Sequence, residues 1–158
     1  MARWIHYPEK DLRTALHMLA QVLDNASAWP ADRAAVMHAM GWYAGKIGAT
    51  YGAFGSLLAY GLLSEQEHKR YGVSEVGTSL LGMRPENPRH RAFIEQAAWT
   101  PPLFRQLRDS YGPHPQDFAL VRDDLSRLGV EESRVGAVAR AFLLTSAFVD
   151  EGEKVCFP

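Results

Sequence analysis

The chain has 158 residues, of which 47% are hydrophobic and 22% are charged. This length and composition fit a folded globular protein with one domain or two small ones, and they exclude disorder over most of the chain. The formal net charge is −1, so no overall basicity would hold the protein on nucleic acid. The charge is unevenly distributed, because residues 84–108 have a balance of +3 (five Lys or Arg, two Asp or Glu) and residues 109–158 a balance of −4 (five and nine).

The cysteine content and the apolar runs bear on the cellular compartment. Cys156 is the single cysteine, so a disulfide within one chain is impossible, and a reducing compartment is the natural setting. No apolar run has the length of a signal-peptide core or of a membrane span. We therefore expect a cytoplasmic protein that has no membrane partner.

Two amphipathic helices are predicted in the first part of the chain. After a break at Tyr7-Pro8, apolar residues recur at helical spacing from Leu12 to Leu23. A second helix is expected from Asp32, with its apolar face on Ala35, Val36, Ala39 and Met40, and Gly41 is positioned to end it.

A third helix is predicted from Ala49 to Tyr60, and Gly61 is expected to stop it. Phe54, Leu57 and Leu58 have the spacing of a core-facing stripe. The opposite face then carries small residues, namely Gly52, Gly55, Ser56 and Ala59. Glycine inside a helix costs about 1 kcal/mol relative to alanine, so these residues indicate either crowding by a neighbouring helix or a close approach to a phosphate strand or a partner helix.

A short β-hairpin is predicted over Leu62–Val73, with a charged tip at Glu65–Arg70. Ser74 is expected to cap a helix that runs through Leu80-Leu81. We expect strands only in this hairpin.

The proline-rich stretch Arg84–Pro88 predicts a boundary, because its two prolines forbid a continuous helix. It divides the chain into residues 1–84 and residues 85–158. Four helices are predicted beyond it. Asn87 and Thr100 are expected to cap the first two, Gly129 to end the third, and the last to run from about Glu131 to Val149.

Three stretches together resemble a bacterial family of uncharacterised winged-helix proteins. They are Tyr7-Pro8 with Leu12–Leu23 and Ala35–Gly41; Tyr60–Leu63 with Val73–Gly77; and Thr100–Leu107 with Tyr111-Gly112 and Ala141-Phe142. The resemblance covers nearly the whole chain. It implies a mainly α fold, in which residues 1–84 form a winged helix-turn-helix with a short β-hairpin wing and residues 85–158 form a helical C-terminal subdomain. It implies no catalytic residues.

The helix-turn-helix order favours a DNA-binding, transcription-regulator-like function. Members of the family tend to carry Lys or Arg along the front of the third helix, where this chain has Thr50, Tyr51, Gly52 and Ala53. The candidate nucleic-acid-binding residues lie in or near that helix, at the wing tip and in the basic segment: Lys46, Thr50, Tyr51 and Ser56; His68, Lys69 and Arg70; Arg84, Arg89 and Arg91.

Other interpretations account for the same residues. The wing tip also contains Glu65 and Glu67, as expected for a solvated hairpin. The arginines of residues 84–108 could form a solvent face that pairs with the acidic C-terminal half. The alternative function is therefore a protein–protein interaction (adaptor) module that uses the winged-helix fold without DNA binding.

Catalysis finds no support in the sequence. The six histidines have no metal-ligand spacing on a helix, and no nucleophile-elbow, P-loop or dinucleotide-binding motif is present. We therefore expect no enzyme activity, no metal and no cofactor.

Self-association is expected, because helix-turn-helix proteins commonly bind two half-sites as symmetric dimers. Leu144 and Phe148 extend the apolar stripe of the last helix sideways beyond what one small core requires. We predict a homodimer with these two residues at or near the contact.

Overall fold

The computed structural model describes residues 7–25, 29–40, 47–112 and 117–151. These residues form α1 (Leu12–Asn25), β1 (Ala31–Asp32), α2 (Arg33–Ala39), α3 (Ile47–Ala59), β2 (Leu63–Gln66), β3 (Arg70–Val73), α4 (Glu75–Gly82), α5 (Pro88–Ala98), α6 (Pro102–Tyr111), α7 (Phe118–Arg127) and α8 (Glu132–Glu151). A 3₁₀ turn, Glu67–Lys69, joins β2 to β3. The prediction of a mainly α protein is confirmed. None of the described helices is long and apolar enough to cross a membrane.

The strands form one antiparallel sheet in the order β1-β3-β2. Leu63 pairs with Val73 and Gln66 with Arg70, so β2 and β3 form the predicted hairpin. The expectation that strands occur only there was wrong, because Ala31 pairs with Tyr71. The added strand is only two residues long, and no alternating pattern of that length can be recognised in a sequence.

Local capping signals place most helix ends where the sequence predicts them. The hydroxyl of Ser74 accepts a hydrogen bond from Gly77 N at 3.0 Å, and the side chain of Asn87 accepts one from Arg89 N at 2.9 Å. Thr100 was predicted as a cap and is not one. Its hydroxyl donates to Gln96 O at 2.6 Å, and the N-terminal cap of α6 is the next residue, a proline.

Gly61 ends α3 as predicted, with a left-handed φ of 73°. Gly61 N donates to Leu58 O, and Leu62 N donates to Leu57 O, both at 3.0 Å. This pair of bonds is a Schellman motif, which satisfies the last carbonyls of a helix. Gly129 ends α7 with the same pair of bonds. The helix α2 has its C-terminal cap at Met40, while the predicted cap, Gly41, lies outside the described residues.

The buried side chains form one cluster that includes residues from both halves of the chain. Phe142 of α8 packs against Phe104 of α6, with 5.4 Å between their ring centroids. Phe104 in turn contacts Tyr60 at the end of α3, at 6.1 Å. The buried core continues across the predicted boundary near residue 84, and the division of the chain there stays a prediction.

Candidate functional site

The described side chains of α3 are enclosed by the rest of the protein. Five residues between positions 52 and 59 are buried, and Gly52, Gly55 and Leu58 are half-buried. The buried ones are Ala53, Phe54, Ser56, Leu57 and Ala59. No residue from 52 to 59 is exposed, which favours crowding within the protein as the reason for the small residues Ser56 and Ala59.

Ser56 is a structural residue. Its hydroxyl accepts hydrogen bonds from Glu9 N at 3.1 Å and Lys10 N at 3.2 Å, and it donates to Gly52 O at 2.8 Å. The side chain is completely buried. The segment that precedes α1 therefore covers this face of α3, and Ser56 cannot contact a nucleic acid as predicted.

Gly52 lies beneath the same segment. A Cβ atom at this position would lie 3.1 Å from Oε2 of Glu9, which is a tight contact. The carboxylate of Glu9 is held there by Arg134 of α8, whose Nε donates to the same oxygen at 3.1 Å. The Arg134 guanidinium also lies 4.6 Å from the ring centroid of Tyr7. Crowding therefore explains Gly52. It does not explain Gly55, because nothing lies within 4 Å of a Cβ at that position.

A second buried polar group joins α1, α3 and α8. The hydroxyl of Tyr60 donates to Lys10 O at 2.8 Å and lies 3.1 Å from Oγ1 of Thr145. The same Thr145 oxygen accepts a hydrogen bond from Leu12 N at 3.1 Å. Burial raises the pKa of Tyr60 well above its ordinary value, which keeps the phenol protonated. The bond to Thr145 satisfies Leu12 N–H, which has no partner within α1 because it lies in the first turn of the helix. This group of bonds therefore has a structural role.

Lys46 and the side chains of Thr50 and Tyr51 lie outside the described part of the chain. At the wing tip, in contrast, every residue from Ser64 to Arg70 is exposed. His68 and Lys69 have left-handed φ angles of 61° and 55°, which turn the chain sharply there.

The basic segment divides into exposed and structural arginines. Arg84, Arg89 and Arg91 are exposed, and within the described residues none of them forms an ion pair. Arg108 instead packs 4.7 Å from the ring centroid of Trp99 and lies 3.6 Å from a carboxylate oxygen of Asp150. The pairing of this segment with the acidic C-terminal half therefore occurs at Arg108.

The exposed arginines do not share one depression. Arg84 borders a shallow, open one together with Thr78 and Asn87. Arg91 borders a deeper cavity between helices, together with His17 and His90. Sequence reasoning missed this cavity. No local pattern could have indicated it, because the consecutive helices α4 and α5 enclose it only together with α1 and α8, which lie far from them in the chain.

The two residues predicted at a dimer contact have different environments. Leu144 is 48% exposed, whereas Phe148 is only 5% exposed. Phe148 is therefore a core residue, which corrects its assignment to an interface. Both lie on α8, four residues and only about 40° apart around the helix axis, so the edge of the buried face of this helix runs between them.

Metal-binding side chains are not clustered in the described part of the chain, where no three His, Cys, Asp or Glu residues could hold an ion together. Cys156 lies outside that part.

Comparisons with protein-family models, with curated proteins and with solved structures find no match for this chain.

Proposed function

We propose that residues 12–73 form a winged helix. The element order is helix, strand, helix, helix, strand, strand, and the first strand pairs with the last to give the sheet order β1-β3-β2. This order is that of a helix-turn-helix followed by a hairpin wing. The sequence predicts only the hairpin, so the pairing of β1 with it is additional support for the proposal.

The function that this geometry supports best is a protein–protein interaction (adaptor) module without base-reading activity. One observation carries the proposal: from residue 52 to residue 59, every residue of α3 is buried or half-buried. In a DNA-binding helix-turn-helix the corresponding helix enters the major groove and presents side chains to base edges. Here the segment before α1 occupies one face of α3, through the bonds of Ser56 to Glu9 N and Lys10 N.

The residue types support the same conclusion. Direct readout depends chiefly on Arg, Lys, Asn and Gln side chains that reach bases. The sequence of α3 is IGATYGAFGSLLA and contains none of them. The proposed function involves no catalysis. The single cysteine, near the end of the chain, supports a cytoplasmic location.

DNA binding through phosphate contacts alone is the second candidate, as part of a transcription-regulator-like function. It is favoured by the exposure of Arg84, Arg89 and Arg91 and of the wing-tip residues Lys69 and Arg70. Phosphate contacts from such side chains supply non-specific affinity that falls steeply with salt. Glu65, Glu67 and Glu86 are also exposed beside them, so the local positive charge is reduced.

A titration with random-sequence duplex DNA distinguishes these functions. Fluorescence anisotropy of a labelled duplex, measured at about 50 mM and about 200 mM salt, is expected to show no binding even at the lower salt concentration. Salt-sensitive binding would contradict the adaptor proposal and favour the second candidate. In that case Arg89→Glu and Arg91→Glu would each weaken binding to the same extent across unrelated sequences, since phosphate contacts carry no base information.

A further inference from the structure

A cavity of about 320 Å³ lies between α1, α4, α5 and α8, beside the turn that follows α4. Small-molecule sites typically have volumes of roughly 300–1,000 Å³ and are lined mainly by apolar side chains. The cavity is therefore large enough for a small organic ligand, and it lies away from the wing and from α3.

The walls of the cavity are mostly apolar. Leu80 of α4, Ile94 of α5 and Val149 of α8 are buried residues that line it, and Leu16 of α1 adds a half-buried side chain. Phe148 lines it as well, so this side chain belongs both to the core and to the wall of the cavity. Such walls favour an alkyl or aryl group over a polar ligand.

The polar residues of the lining include one arginine and two histidines, and no carboxylate. His17, His90 and Arg91 border the cavity, and its lining contains no Asp or Glu. His17 and Arg91 are exposed and His90 is half-buried, so these groups lie at the solvent side while the apolar groups lie deeper. Within the described residues Arg91 forms no ion pair, and its guanidinium can accept an anionic partner without first losing another.

We propose that this cavity binds a small amphipathic monocarboxylate, such as a medium-chain fatty acid. The apolar tail lies among Leu80, Ile94 and Val149, and the carboxylate accepts hydrogen bonds from the guanidinium of Arg91. Arginine is suited to this role because its planar group matches a carboxylate with two parallel hydrogen bonds.

Isothermal titration calorimetry with decanoate, kept below the concentration at which it forms micelles, tests the proposal. Decanoate is expected to bind with one ligand per chain. Arg91→Gln should weaken the affinity by about tenfold or more, since a hydrogen bond to a charged group contributes on that scale. Arg89→Gln is the matched control, because Arg89 is also exposed on α5 and does not line the cavity. It should leave the affinity unchanged.

Two further measurements separate the roles of the tail and the head group. Decanol, which has the same tail without the charge, should bind more weakly than decanoate. Ala20→Phe places a ring at the lining and should abolish binding. Circular dichroism and a thermal melt would verify that this variant folds.

The proposal would be overturned if decanoate produced no binding heat, if decanol bound as tightly as decanoate, or if Arg89→Gln weakened binding as much as Arg91→Gln. It is independent of the proposed adaptor function, because neither α3 nor the wing contributes to the cavity. A negative DNA titration would leave it intact.

Discussion

Single residues of α3 show how differently one residue type can be used in one helix. Gly52 and Gly55 are both half-buried, and both lower helix propensity to the same degree. Of the two, only Gly52 has a neighbour that a Cβ atom would crowd, the carboxylate of Glu9. Ser56 gives a second case, since a small polar residue that could have been a surface contact is a buried hydrogen-bond partner of the backbone.

The first stability prediction compares these two glycines. Gly55→Ala should raise the free energy of unfolding by about 1 kcal/mol, because it restores helix propensity in open space. Gly52→Ala should gain less than Gly55→Ala or lose stability, because its Cβ would approach Oε2 of Glu9 to 3.1 Å. Urea denaturation of both variants measures the difference. Equal gains at the two positions would contradict the contact between Gly52 and Glu9.

At the scale of elements, α8 stabilises the start of α1. The first N–H groups of a helix need partners outside it. Here Thr145 accepts the hydrogen bond of Leu12 N at 3.1 Å, and it also contacts the hydroxyl of Tyr60 at the end of α3. The long C-terminal helix is thereby joined to two helices of the proposed winged helix through one buried hydroxyl.

The second stability prediction removes that hydroxyl. Thr145→Val keeps the shape of the side chain but leaves Leu12 N–H buried without its partner, which should cost about 1–3 kcal/mol. Thr145→Ser is the control, since it keeps the hydroxyl and should retain more of the stability. Chemical denaturation followed by circular dichroism compares the two variants. A Thr145→Val variant as stable as the original protein would show that the hydroxyl does not support α1.

Several elements could be predicted from the sequence because their signals are local. Ser74 and Asn87 precede their helices and cap them within three residues, and Gly61 and Gly129 end helices at positive φ. The cap expected at Thr100 was wrong for a reason that is also local. The Thr100 hydroxyl donates a hydrogen bond to a carbonyl one turn earlier, in the preceding helix. A threonine hydroxyl can either donate backward in this way or accept from the N–H groups of the next helix.

At the scale of the whole molecule, the exposed apolar residues of α7 and α8 bear on self-association. Leu144 is 48% exposed, and Phe118, at the start of α7, is 37% exposed. The guanidinium of Arg140, one turn before Leu144, lies 6.0 Å from the ring centroid of Phe118. The helices α7 and α8 pack against each other, and exposed apolar side chains on neighbouring helices can form part of an interface. We therefore retain the homodimer as a proposal, with Leu144 at the contact and Phe148 in the core.

The prediction for assembly compares Leu144, which is exposed, with Phe148, which is buried. Light scattering at tens of micromolar protein should give twice the chain mass of 17.6 kDa. Leu144→Glu should reduce it to the mass of one chain without loss of helical content, because the side chain is exposed. Phe148→Glu should instead unfold the protein, since it buries a charge in the core. A single-chain mass for the unaltered protein would rule out the dimer.

The sequence by itself determined the helical class, most helix ends and the hairpin, because periodicity and capping depend on residues close together in the chain. Only the tertiary structure decided the environments that matter for function. The segment before α1 covers the face of α3 on which Ser56 lies, Arg108 reaches Asp150 across the fold, and the apolar cavity forms where four helices meet. Helical periodicity predicts which residues share a face of a helix. Whether that face meets solvent or another part of the chain depends on contacts between distant residues, and no local pattern encodes those contacts.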